Sequence, residues 1–237
     1  MEKMVVDRQA RVTGWLSLPV QATPAAAVLL MPAVHGLTDY IADVMQRLTQ
    51  EGYAVFALDY YTRTGQPDLS SREKMNRVLA DLQDEQVIED GHRAIEYLRG
   101  RPEVCSDRIG VLGYCVGGKY AYLMACTEDV QASVDFYGMV RQEVTANHPA
   151  SPIDKAAELK APLLFHLGDR DYLIPVSHAQ ELADRLFAHE KSYELLLYPG
   201  APHAFHDHTR PNYRPVAAKA AWRHTLDFFG FYLQGKH

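Results

Sequence analysis

Cysteine is scarce in this chain: Cys105, Cys115 and Cys126 are the three among 237 residues. An odd count with no C-x-x-C pair suggests neither a disulfide framework nor a zinc knuckle, and leaves at least one thiol free within the chain. Positive charge is not in excess either. With 24 Lys and Arg against 30 Asp and Glu the net charge is −6, which argues against a general affinity for nucleic acid or anionic membrane. Long apolar runs are missing: the longest, Ala25 to Met31, is far too short to span a bilayer, and the opening stretch MEKMVVDRQARVTGW lacks the apolar core of a signal peptide. The expectation is a cytoplasmic protein with a small-molecule ligand, no nucleic-acid or membrane partner, and a monomeric or weakly dimeric state. No internal repeat, low-complexity tract, charge block or shift in composition marks a linker, so residues 1–237 are read as one domain.

What the chain has instead is alternation. Short apolar runs at Ala27–Met31, Ala54–Leu58, Ile109–Tyr114, Ala132–Tyr137, Leu163–Leu167 and Tyr193–Tyr198 read as buried strands, with Val12–Leu18 as an earlier edge strand. Segments of helical period lie between them at Asp39–Glu51, with Thr38 as N-cap, and at Arg72–Leu82, Gln86–Arg99, Gly117–Cys126, Val176–Ala188 and Pro215–Leu233. Such alternation pairs strands in parallel through right-handed crossovers, so the expected class is α/β with a three-layer, doubly wound, mostly parallel sheet. Ligands bind these sheets beyond the carboxyl ends of the strands, and the turns there are where chemistry is sought.

Ile109 to Lys119 reads IGVLGYCVGGK. Gly113-Tyr114-Cys115-Val116-Gly117 has the spacing of a nucleophile elbow, G-x-S-x-G, with a thiol in place of the hydroxyl. Gly113 and Gly117 let strand and helix approach closely, and the N-terminal end of the following helix favours a thiolate. Taken alone, Cys115 could equally be a buried cysteine in a glycine-rich packing contact. A base and an orienting acid are then sought in the order nucleophile, acid, histidine. After Leu163–Leu167 comes GDRDYLIP, where Asp169 and Asp171 both stand where a carboxylate could meet an imidazole. Asp171 is preferred because Leu-Ile-Pro anchors it, while Asp169 suits a turn cap. After Tyr193–Tyr198 comes PGAPHAF, which puts His203 in the next strand-end loop. With 11 histidines one such coincidence is cheap, but three roles in order on strand-end turns are not. The amide of Val116 and that of Val34, in the loop PAVHGL, are the expected oxyanion donors. His35 in that loop is expected at the pocket mouth, as a substrate contact or a hydrogen-bonded spectator. Tyr137 is a further substrate-contact candidate at a strand end, where aromatic residues more often pack.

GYCVGGK, GDRDYLIP and YPGAPHAFHDHTRPNY, with RLTQEGYAVFALDYYTR upstream, resemble the dienelactone hydrolase family of α/β-hydrolases, from Val12 to Leu233. The resemblance implies the α/β-hydrolase fold and a Cys-Asp-His triad at Cys115, Asp171 and His203, with backbone oxyanion donors at Val34 and Val116. It also implies hydrolysis of an ester or lactone through a thioester acyl-enzyme, carboxymethylenebutenolide being the type substrate, and no metal or organic cofactor. Two positions depart from the type enzymes. The glutamate that precedes their first oxyanion residue and holds the resting thiol is Ala33 here, which implies a resting thiolate–imidazolium pair with His203. Their substrate-binding arginine, four residues after the histidine, is Asp207 here; a carboxylate there is expected to repel an anionic lactone and alter specificity. The second clamp arginine would correspond to Arg72, in a segment that aligns poorly.

Two other readings stay open. His203, His206 and His208, with Asp207 between, could ligate a metal for assisted hydrolysis, although H-x-x-H-x-H is not a usual zinc signature and no distant ligand presents itself. A non-catalytic thiol-sensing or binding protein on the same fold would also keep a reactive Cys115 at a helix N-terminus, but it has no need of an acid–histidine pair. Cys105 and Cys126 are read as structural.

Overall fold

The computed structural model describes residues 1–20 and 24–236. Its strands are Glu2–Asp7 (β1), Val12–Ser17 (β2), Ala25–Met31 (β3), Ala54–Leu58 (β4), Val104–Tyr114 (β5), Ala132–Phe136 (β6), Leu163–Gly168 (β7) and Tyr193–Tyr198 (β8). All eight join one sheet in the order β1-β2-β4-β3-β5-β6-β7-β8. From β4 to β8 every neighbouring pair is parallel, while β2 runs antiparallel to both β1 and β4. Six helices accompany it: Asp39–Gln50 (α1), Arg72–Asp81 (α2), Asp84–Arg99 (α3), Val116–Thr127 (α4), Val176–Ala188 (α5) and Pro215–Gln234 (α6). The α/β class and the mostly parallel sheet read from the alternation are therefore present. Among the described residues no helix is long and apolar enough to cross a membrane.

The central strands follow from composition. Every residue of β3, AAAVLLM, and of β4, AVFAL, is buried, as expected for parallel strands covered on both faces. Helix α1 starts where Thr38 Oγ1 accepts the Ile41 amide at 3.4 Å, and it buries Tyr40, Ile41, Val44, Met45 and Leu48 along one stripe. The sheet has one strand more than the sequence suggests. β1 is a partly exposed edge bearing Glu2, Lys3 and Asp7, so its charges, which protect an edge from further pairing, mask its strand character. Val12–Ser17 is consequently second from the edge, a correction to its reading as an edge strand. β6 ends one residue early because Tyr137 turns to a φ of 48°. Pro152–Glu158, which carries no strong period, forms a 3₁₀ helix.

Strand register brings the strand-end turns together. Met31 pairs with Gly113, Tyr114 with Phe136, Phe136 with His166, and Gly168 with Tyr198. The turns after β3, β5, β6, β7 and β8 thus leave the sheet side by side, on both sides of the point where the strand order reverses.

Candidate active site

Cys115 links β5 to α4 with φ 57° and ψ −121°, a conformation that costs a non-glycine residue roughly 1–3 kcal/mol. Neighbouring backbone holds it there: the Cys115 amide donates to Phe136 O at 3.0 Å, and the Gly118 amide donates to Cys115 O at 2.9 Å. A Cβ on Gly113 would lie 1.9 Å from the Gly117 carbonyl oxygen, and one on Gly117 would lie 2.0 Å from the Met31 carbonyl oxygen. The glycine spacing legible in the sequence is therefore demanded by the close approach of strand and helix. Tyr137 and Ala204, with φ of 48° and 61°, are also non-glycine residues in the left-handed region, and both flank the same cleft.

The structure brings Asp171 and His203 to the same place. The Asp171 side chain is fully buried; its Oδ1 accepts the amides of Leu173 at 2.8 Å and Ile174 at 3.0 Å, and its Oδ2 lies 2.8 Å from His203 Nδ1. A carboxylate only accepts, so Nδ1 carries the donated proton and Nε2 is left for Cys115. Nε2 is buried and has no partner of ordinary hydrogen-bond geometry among the described residues, while the Cys115 sulfur is near enough to act on the ring. Burial by itself would lower the His203 pKa; Cys115 and the Asp171 carboxylate outweigh it and raise the value to about 10. Tyr137 meets the ring edge-on with centroids 5.0 Å apart. Asp169 accepts the Gly200 amide at 2.7 Å, closing the next loop.

Two tyrosines that follow β4 brace the loop after β3. Tyr61 Oη donates to Val34 O at 2.6 Å and Tyr60 Oη to Pro32 O at 3.0 Å, so their hydroxyls fix this loop. The Val34 amide donates to no acceptor among the described residues. Val116 opens α4, where an N–H has no intrahelical acceptor. Ala33 brings no carboxylate to the thiol.

Cys115 and His203 stand where two cavities meet. One of about 140 Å³ lies under the Val34–His35 loop and reaches Tyr40, Asp207 and Arg210. The other, of about 240 Å³, runs past Val116 to Lys119, Gln142 and His148. Tyr137 lines both, and so does Leu79 of α2, a helix without a single fully buried residue that roofs the site. Arg72, at the start of α2, is exposed and lines neither.

Asp207 does not present a bare carboxylate. Oδ1 accepts the Thr209 amide at 2.9 Å and Thr209 Oγ1 at 2.6 Å, and Oδ2 accepts from Arg210 Nε at 3.1 Å. The Arg210 guanidinium continues over His35, with Nη2 3.0 Å from Nε2 of that ring. The Asp207 carboxylate at this position is thus paired directly with the Arg210 guanidinium. His35 is partly buried; burial first, then Arg210, lowers its pKa against the opposing pull of Asp207. The other histidines of this segment diverge. His206 is buried with Nδ1 2.6 Å from Tyr40 Oη and stacks on Tyr114, whereas His208 is exposed with Nδ1 3.9 Å from Asp43 Oδ2. Among the described residues no group of three or more His, Cys, Asp or Glu is placed to hold a metal ion. Cys126 is buried, and burial pushes its thiol up to about 12.

One polar cluster escaped the sequence reading. Lys119 Nζ donates to Asp84 Oδ1 at 2.7 Å inside the larger cavity wall, and His148 Nδ1 lies 2.9 Å from the same oxygen. The available signal was a lone lysine in the otherwise apolar helix VGGKYAYLMACT, but its partners lie far off in sequence.

Residues 12–233 match the dienelactone hydrolase family. The chain is 43% identical over 224 residues to a Bradyrhizobium protein named "Probable 2-oxo-3-(5-oxofuran-2-ylidene)propanoate lactonase", covering 94% of this chain and 90% of that one. It is 31% identical to a Methylorubrum extorquens protein named "Putative carboxymethylenebutenolidase", covering 93% and 77%. The crystal structure described as "Putative Dienelactone Hydrolase" from Klebsiella pneumoniae superposes with a TM-score of 0.87 at 28% identity, covering 93% of each chain. The match over nearly the whole length, on an eight-stranded sheet with a strained elbow, leads to one assignment: the chain belongs to the dienelactone hydrolase family and is a hydrolase of the ester and lactone type on the α/β-hydrolase fold.

Proposed function

We propose that the chain uses Cys115 as a nucleophile to hydrolyse small esters and lactones through a thioester acyl-enzyme. The observation that carries this reading is His203, fixed through Nδ1 at 2.8 Å from Asp171 with a buried Nε2 beside Cys115. With no glutamate at position 33 to compete for the thiol, the resting state is a thiolate–imidazolium pair, favoured by the same charges that raise the His203 pKa. The thiolate attacks the carbonyl carbon, and the Val34 and Val116 amides receive the developing oxyanion. Collapse breaks the acyl–oxygen bond, and the imidazolium gives its proton to the leaving alkoxide. The neutral ring then takes a proton from water, hydroxide attacks the thioester, and expulsion of the thiolate restores the resting pair. Asp171 keeps the required tautomer throughout.

The relative from Bradyrhizobium is named a lactonase, and small lactones are the substrate class proposed here. A catalytic thiol that must stay reduced suits the cytoplasm. The test is to quench a reaction with 4-nitrophenyl acetate and map the adduct by mass spectrometry. An acetyl group on Cys115, and no turnover by Cys115→Ala, is the expected result; an adduct elsewhere, or an active Cys115→Ala, overturns the proposal.

A further inference from the structure

We propose that the cavity of about 240 Å³ is the subsite for the acyl part of the substrate, and that Lys119, held in place by Asp84 and Gln142, binds a carboxylate carried on that part. The inference rests on the reading of Cys115 as the nucleophile. Lys119 follows Cys115 by four residues on α4, about 6 Å of helical rise, so its side chain lies along a cavity that begins at the sulfur. Its side chain is 4% exposed, and Nζ donates to Asp84 Oδ1 at 2.7 Å and to Gln142 Oε1 at 3.3 Å. An ammonium has three donors; Nζ also stands 4.4 Å from the centroid of the Tyr120 ring, but its third N–H meets no oxygen or nitrogen acceptor among the described residues, and Lys119 lines the cavity.

Asp84 is saturated by the cluster. Oδ1 accepts from Lys119, from Tyr120 Oη at 3.0 Å and from His148 Nδ1 at 2.9 Å, and Oδ2 accepts from Gln142 Nε2 at 3.0 Å. His148 donates through Nδ1 to Asp84 and so helps to hold that carboxylate against Lys119. Stability gives a poor account of this arrangement, since a buried ion pair commonly adds little over apolar packing and α4 is otherwise apolar. The rest of the wall is largely apolar, with Leu79, Val116, Met139 and Ile174, and a few polar groups at the end of such a cavity fix the orientation of a ligand. Glu143 also borders the cavity but is exposed, so its charge is screened by water. The Arg210 guanidinium on the opposite side is exposed and already engaged by Asp207. The leaving oxygen then falls in the smaller cavity, under His35.

The experiment compares kcat/KM for 4-nitrophenyl hydrogen glutarate and 4-nitrophenyl valerate, acyl chains of equal length ending in a carboxylate or a methyl group. The wild type is expected to prefer the glutarate, and Lys119→Met to lower the glutarate/valerate ratio at least about tenfold, as loss of a charge-assisted hydrogen bond implies. The double variant Lys119→Met, Asp84→Asn removes both charges, and a ratio that stays low there excludes an effect of an unpaired buried carboxylate. A wild type without preference overturns the subsite, as does a ratio unchanged in folded Lys119→Met or one that collapses in Arg210→Leu instead. Where the Lys119 variants do not fold, the wild type decides: competitive inhibition by glutarate much tighter than by valerate supports the subsite, and equal inhibition overturns it. Valerate turnover that depends on Cys115 with an unmoved ratio sinks the subsite alone; turnover that is independent of Cys115 sinks the underlying mechanism.

Discussion

His203 and His206 sit three residues apart in one loop, both buried, and are driven in opposite directions. At His203 the cost of burial is outweighed by Cys115 and Asp171, and the pKa rises to about 10. At His206 burial is reinforced by the charges of Arg47 and His208, and the pKa falls to about 3. Among the described residues the one hydrogen-bond partner of His206 is a neutral phenol, Tyr40. Burial sets the cost of charging a ring, and the partner decides whether that cost is met. One imidazole is equipped to hold and pass a proton; the other is a flat, neutral spacer between Tyr114 and Trp222.

Removing the partner is the strongest way to break the contrast. Asp171→Asn is expected to lower the His203 pKa and reduce kcat/KM by roughly 10²–10⁴-fold, which steady-state kinetics and an NMR titration of His203 would read together. His206→Phe should do the converse: activity within a few fold of wild type, but a loss of about 1–3 kcal/mol in urea unfolding, because Tyr40 Oη loses its partner. A third test uses pH. The unfolded rings titrate near pH 6.5, so the contribution of His203 is full below that value and lost as pH rises through about 10. The contribution of His206 is full above pH 6.5 and lost as pH falls towards about 3. Melting temperature against pH should therefore decline at both ends, the alkaline decline flattened in Asp171→Asn and the acid decline in His206→Phe.

Smaller effects sharpen the surroundings. Tyr61→Phe frees the Val34 carbonyl and should lower kcat by roughly tenfold or less with little change in KM, as expected when one oxyanion donor is only loosened. Asp135, buried beside the elbow, accepts the Gly138 amide at 2.6 Å, and burial raises its pKa to about 8. A raised carboxylate pKa removes stability as pH climbs from the ordinary range through the folded value. The advantage of Asp135→Asn over wild type in melting temperature should accordingly grow from the ordinary carboxylate range up to about pH 8 and level off above it.

Much of this arrangement was legible in the sequence where local sterics or uniform burial dictate the residue. The apolar cores of β3 and β4, the two elbow glycines and the order of Cys115, Asp171 and His203 along the strand ends are of that kind. The edge strand β1 was not, because its residues are half exposed and its pairing is decided by β2 rather than by its own pattern. Nor was the Lys119 cluster, whose contacts to Asp84 and from Asp84 to His148 span 35 and 64 residues. Asp207 illustrates a third limit. Its sign could be read, but whether the charge acts outward depends on the turn that Thr209 closes and on Arg210 being carried back against it.

Helix α2 roofs both cavities with Leu79, yet buries none of its own residues completely. Substitutions there disturb little of the core, so drift in this stretch is cheap for folding while each change alters what the cavities admit. The floor of the cleft, held by strained backbone and by glycines where any Cβ would clash, has no such freedom. Novelty in substrate range can therefore accumulate in the roof over generations while the chemistry beneath it is inherited unaltered.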